Sequence, residues 1–251
     1  MQRTSAFLVF IIAGSLSLFF SPWPVPAGDL SELLSRAQDP SANLRDRLVA
    51  IDALGSSGDE GAAAPLLSIL SNVSEDEGVR SFAARALARL GEPRAEILAA
   101  FENVYNDPGS GENLLYTILL HFGDMHAVES LDLLSGALAS PNPMIRFKAV
   151  QALGELKGSN AVSVLTAHLD VEKDRMVRAE TVQSLGRLED PAAQEALTRT
   201  LVKDPEPLVR YNAVLSLSMF KSLSPATIEA LKAALKDSSV LVRKAAERVA
   251  P

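Results

Sequence analysis

Ile145-Arg146-Phe147-Lys148-Ala149-Val150-Gln151-Ala152-Leu153-Gly154 and Val177-Arg178-Ala179-Glu180-Thr181-Val182-Gln183-Ser184-Leu185-Gly186 follow one pattern. An aliphatic residue precedes an arginine, a small residue comes three positions after it, and a small residue, leucine and glycine close the stretch. The wording returns at Val79-Arg80, Val209-Arg210 and Val242-Arg243, and a degenerate copy runs from Arg47 through Ala50, Ala53, Leu54 and Gly55. A further copy reads through Glu112, Leu119 and Gly123. The anchors at 47, 80, 112, 146, 178, 210 and 243 are spaced by 33, 32, 34, 32, 32 and 33 residues. A period this regular defines an array of repeats, in which each unit is one supersecondary element stacked on its neighbours.

The unit is helical. Asp190-Pro191 opens the sixth copy, because aspartate caps free amides and proline suits the first turn of a helix. Ala193, Ala196, Leu197, Thr200 and Leu201 then recur at spacings of three and four, the period of an amphipathic helix. Asp204-Pro205 ends that helix and starts a second, carrying Leu208, Val209, Ala213, Val214, Leu217 and Phe220. Ser224-Pro225 and Glu92-Pro93 repeat the grammar, and alternating strand patterns are nearly absent. Each unit is therefore expected to be two antiparallel helices, unable to bury their apolar faces without a neighbour. Ala83, Ala149 and Ala213 would let helices approach closely. Gly55, Gly91, Gly123, Gly154 and Gly186 would close the second helices in the left-handed conformation.

The recurring arginines, Arg47, Arg80, Arg146, Arg178, Arg210 and Arg243, fall in the first turn of the second helix, where the helix dipole disfavours a cation. An upstream carboxylate would offset this: Asp204 and Asp237 precede Arg210 and Arg243 by six residues, and Asp39 and Asp170 precede Arg47 and Arg178 by eight. The expectation is a structural ladder of inter-repeat ion pairs, for which a planar guanidinium is suited. The other reading is an arginine row for an anionic ligand.

The pattern Val-Arg-x-x-Ala-x-x-Ala-Leu-Gly, with Asp-Pro in the linking turns, resembles the HEAT repeat, and more narrowly the phycobilisome-lyase-like subgroup. The resemblance covers roughly residues 30–251. It implies an all-α, right-handed α-solenoid of about seven hairpins whose second helices line a concave face. It implies no single activity, since one scaffold hosts unrelated functions.

Residues 1–27 are read as a secretory signal peptide. Arg3 is followed by an apolar run from Ala6 to Phe20, then by prolines at 22, 24 and 26, and Val25-Pro26-Ala27 has a cleavage-site pattern. The run is fifteen residues long, short of the roughly 20 a bilayer span needs. Residues 28–251 form the solenoid on this reading, placed in the periplasm of a bacterium or secreted. Membrane contact is expected only if the leader stays uncleaved. Removing Arg3 takes the formal charge from −7 to −8, which argues against nucleic acid. With no cysteine there is neither a thiol nucleophile nor a thiolate metal site. His121 and His126, with Asp124 and Glu129, allow a metal site to be drawn but lack the i, i+4 spacing of helical ligand pairs. The sequence points to no catalytic residue, metal or cofactor. A lyase- or hydroxylase-like enzyme on the same scaffold and a membrane-tethered assembly component are the competing readings.

The functional expectation is a face. Counted from each anchor, offsets two, five and nine form one stripe of the second helices. Its N-terminal end sets Val49, Phe82 and Leu114 beside Arg85 and Arg89, and its centre carries Lys148, Gln151, Glu155 and Arg187. Apolar anchors rimmed by arginine suit a protein or peptide partner. Two irregularities remain. Residues 106–111, Asn-Asp-Pro-Gly-Ser-Gly, suggest a hinge before Glu112, and an incomplete last copy suggests self-association through the C-terminal repeat.

Overall fold

The computed structural model describes residues 29–157 and 160–250; the expected leader, 1–27, lies outside them. Among these residues the chain is all-helical and forms seven hairpins: α1 (Leu30–Gln38) with α2 (Leu44–Ser56), α3 (Ala63–Ser71) with α4 (Glu77–Leu90), α5 (Arg94–Asn106) with α6 (Glu112–Asp124), α7 (Leu131–Ala137) with α8 (Pro143–Leu153), α9 (Ala161–Val171) with α10 (Arg175–Leu188), α11 (Gln194–Lys203) with α12 (Pro207–Leu217), and α13 (Pro225–Ala234) with α14 (Val240–Val249). Side chains of Asn43, Asp76, Asn142 and Asp174 cap second helices. Proline occupies the first turn of α8, α12 and α13. No described helix is long and apolar enough to cross a membrane.

The second helices pack flank to flank along the whole row, whereas the first helices touch one another less. Closer spacing in one layer than in the other bends the row toward the second helices, which therefore form its inner wall. What sets that spacing corrects the sequence reading of the glycines. Only Gly91, of the five, has a positive φ, at 78°. Gly55, Gly123 and Gly186 lie within helices, and Gly154 follows α8 with a right-handed backbone. Each meets the next second helix: a Cβ at Gly55 would stand 2.5 Å from Ala86 Cα, one at Gly123 2.9 Å from Ala152 Cα, and those at Gly154 and Gly186 2.7 Å from the Cβ atoms of Ser184 and Ser216. Glycine here serves interhelical contact. Two of the facing small residues add a hydrogen bond, Ser184 Oγ donating to the Val150 carbonyl at 3.1 Å and Ser216 Oγ to that of Val182 at 2.9 Å.

The same contacts correct the register of the third repeat. Every second helix begins three residues before its anchor, so α6, starting at Glu112, has its anchor at Leu115. Leu114 then stands where Val79, Val177, Val209 and Val242 stand, and like them it is fully buried. It belongs to the core and not to an exposed stripe. Glu112 is misleading because no arginine marks the anchor of this repeat, where residue 115 is leucine.

The arginines bridge repeats, but through the following linker and not through the upstream carboxylate. Arg47 pairs with Glu75 at 2.6 Å, Arg146 with Glu172 at 2.7 Å, Arg178 with Asp204 at 2.9 Å and Arg210 with Asp237 at 2.8 Å. Upstream residues contribute backbone instead: Arg210 Nη1 donates to the Asp204 and Pro205 carbonyls. Asp170 pairs with Arg199, and Asp39 accepts from Ser41. The ladder lapses around the third repeat. Arg80 donates to the Leu70 carbonyl at 2.9 Å with no ion pair among the described residues, and Leu115 replaces the next arginine. There the junction is made differently: Glu77 Oε1 accepts from the backbone N–H of Leu114 at 3.0 Å, so the second hairpin caps α6. Its carboxylate fills the space a Cβ on Gly111 would need. The segment proposed as a hinge is thus tied to α4 at its C-terminal end.

Candidate functional site

On the inner wall, the residues read from sequence as an open binding stripe are largely paired with each other. Arg85 lies 2.9 Å from Asp52 and stacks over the Phe82 ring at 4.1 Å. Arg89 reaches Asp52 at 3.2 Å and Ser56 Oγ at 2.7 Å. Phe82 is half-buried against the core, and Val49 is exposed. In the centre, Lys148 donates to Gln151 at 3.1 Å. Arg187 lies 2.9 Å from Glu180 and 3.3 Å from Glu155. Asp52 with Arg85 and Arg89, and Glu155 with Arg187, join neighbouring repeats as struts, whereas Lys148–Gln151 and Glu180–Arg187 each lie within one helix. The reason lies in the spacing: equivalent positions on adjacent helices are close enough that opposite charges 33 residues apart meet, as Asp52 and Arg85 do.

The exposed apolar surface lies elsewhere. One helical turn before offset two is offset minus two, on the same stripe. In the last four repeats that position holds Met144, Met176, Leu208 and Leu241, all 38–50% exposed. Leu215 and Met219, at offsets five and nine of α12, are also exposed and widen the row. The corrected register places Leu120, also exposed, on the stripe in α6, where Leu114 had been expected. The signal was present in the sequence as an aliphatic-or-Met residue two before each late arginine. It lies before the anchor, outside offsets two, five and nine.

The histidines are held separately. His121 Nδ1 lies 2.9 Å from Asp124 Oδ2, His126 Nδ1 lies 2.9 Å from the Glu155 carbonyl, and Glu129 pairs with Arg94 at 3.0 Å. His168 is buried in α9, with Nε2 3.1 Å from Glu172 Oε2. Burial holds the His168 pKa below its ordinary 6.5, the Glu172 charge opposing the shift and the Arg146 charge adding to it. Burial pushes Glu172 up, but hydrogen bonds from Arg146 and from the Asp174 N–H, with the charges of Arg146 and His168, leave it below 4.5. The signs follow from linkage. The folded state binds fewer protons than the unfolded chain at both residues, so stability is full above pH 6.5. It falls first as the unfolded chain takes up the His168 proton, and further below pH 4.5 as Glu172 titrates. Thermal melts are expected to show His168→Met removing the loss that begins near pH 6.5 while keeping the one below 4.5. An unchanged pH profile would assign the first loss elsewhere.

A solenoid of helical hairpins, with charged struts on its inner wall and an apolar row at one end, is a repeat scaffold. The chain belongs to the HEAT-repeat family: HEAT repeats match residues 30–108, 112–186 and 172–250. In fold it is similar to an archaeal HEAT-like repeats protein from Thermococcus onnurineus, at 16% identity over 89% of this chain and 96% of that one, TM-score 0.54. It is likewise similar to the complex of CpcE and CpcF of phycocyanin lyase from Nostoc, at 17% identity over 90% and 96%, TM-score 0.53. Human deoxyhypusine hydroxylase aligns at 20% identity over 88% and 94%, TM-score 0.43. Among curated protein sequences nothing matches it.

Proposed function

We propose that this protein is an exported, non-catalytic scaffold that holds an apolar segment of a partner protein along the inner wall of repeats four to seven. The carrying observation is the row Met144, Met176, Leu208 and Leu241, exposed at one register position on four consecutive second helices. Unbranched methionine adapts to varied partner shapes. An amphipathic partner helix laid across such a row would bury it by the helix-in-groove mode. With Arg85, Arg89 and Arg187 each already paired to a carboxylate, the apolar positions of the wall are the part with most free energy still to gain from association. The leader-like residues 1–27 support placement in the cell envelope.

Crosslinking and capture from the envelope tests this, with Met176→Glu/Leu208→Glu compared against Phe82→Asp/Arg85→Glu. The first pair is expected to lose the captured protein and the second to keep it, with circular dichroism of the first unchanged because both residues are exposed. Recovery of the same protein by all forms would overturn the assignment.

A further inference from the structure

The rungs of the ladder share a two-edged construction. Arg210 donates from Nη1 to the carbonyls of Asp204 and Pro205 in its own linker, at 2.9 and 3.1 Å, while Nε and Nη2 grip the Asp237 carboxylate of the next linker at 2.9 and 2.8 Å. Arg146 and Arg178 repeat this arrangement with Glu172 and Asp204. Arg243 in α14 has the first edge only. Its Nη1 donates to the carbonyls of Asp237 and Ser238 at 2.6 and 3.1 Å, and no carboxylate pairs with its other edge among the described residues. The guanidinium is therefore already oriented for a rung that lacks its acid.

At the opposite end an acid has no arginine partner among the described residues. Asp39 opens the α1–α2 linker as Asp204 opens the α11–α12 linker, each followed by proline. Its Oδ1 accepts from the Ser41 N–H at 2.8 Å, as Asp204 Oδ1 accepts from the Glu206 N–H at 2.9 Å and Asp237 Oδ1 from the Ser239 N–H at 2.7 Å. No described arginine forms an ion pair with Asp39. The flanking apolar groups are also incompletely covered: Leu30, Leu33 and Leu34 of α1 stay half-buried, and Leu235 beyond α13 is exposed.

We infer that the two ends are complementary, and that a second copy of the chain sets its Asp39 against Arg243, stacking its first hairpin on the last hairpin of the other. The contact reuses the geometry that joins repeats inside one chain. Different surfaces meet at the two ends, so the interface is heterologous and generates an open series. Neither Asp39 nor Arg243 belongs to the apolar row, so loss of partner capture and loss of self-association are separable results.

Sedimentation velocity of the protein, as processed by its host, reads this directly. The wild type is expected to give concentration-dependent species larger than a monomer. Asp39→Arg and Arg243→Asp, each checked by circular dichroism, are expected to stay monomeric. Their equimolar mixture is expected to assemble again in alternation, because each end of one variant then meets an opposite charge at the facing end of the other. The doubly substituted Asp39→Arg/Arg243→Asp chain is expected to regain the open series with the charges exchanged. A wild type that stays monomeric at every concentration, single variants that still assemble alone, or a mixture that stays monomeric would each overturn the inference.

Discussion

Gly55→Val is expected to detach the first hairpin from the array. A Cβ at this position would stand 2.5 Å from Ala86 Cα and 2.8 Å from the Ala86 carbonyl oxygen. Both are backbone atoms of α4 and cannot rotate away. Overpacking a well-filled contact costs typically 1–3 kcal/mol, and a clash with backbone belongs at the upper end, about 3 kcal/mol. Because repeat arrays gain stability through nearest-neighbour interfaces, the loss falls on one junction. Hydrogen exchange should show α1 and α2 losing protection while α10 to α14 keep theirs. Gly136→Ala is the control: it lies in α7 with nothing within 4 Å of its added Cβ. Alanine there costs nothing and gains up to about 0.5 kcal/mol of helix propensity. If Gly55→Val exchanges like the wild type, close approach of second helices does not hold the row together.

The second large effect is expected from breaking one rung. Arg178 and Asp204 are 12% and 8% exposed at their side chains and are joined by two hydrogen bonds. Arg178→Leu leaves the Asp204 carboxylate largely buried without its counter-charge, a change that costs about 3 kcal/mol. Removing both partners costs much less, because a buried ion pair repays little beyond its own desolvation. Arg178→Leu/Asp204→Leu should therefore recover a large part of the loss in denaturant melts, and the double-mutant cycle should give a coupling well above 1 kcal/mol. Arg80→Leu supplies the contrast, since Arg80 has a carbonyl and no carboxylate. Its effect should be the smaller of the two. Equal losses at Arg80 and Arg178 would show that the arginine stems, and not the ion pairs, stabilise the row.

The uneven legibility of this chain traces to particular residues. Asp190 and Ser224 are readable as helix starts because capping is local, and their side chains accept from the Ala192 and Thr227 N–H groups. The arginine ladder was readable as a class of contact, yet its partners were misassigned: Asp204 is six residues from Arg210 in sequence but gives its carboxylate to Arg178. Leu114 was placed on an open face because Glu112 mimics the anchor spacing, and only the helix start and the Gly123–Ala152 contact fix the register. Arg85 and Arg89 looked free because a single repeat does not contain Asp52, their partner one repeat away.

Local reading of the chain suffices for the helical hairpin, its number of copies and the residue types that recur at each position. Periodicity, caps and breakers act within one or two turns of chain, and these features need nothing more. The tertiary structure alone decided which acid each arginine holds, why the glycines are glycine, and which positions of the inner wall remain uncovered. Those depend on the distance and rotation between second helices about 33 residues apart, a geometry set by stacking and not by any local stretch.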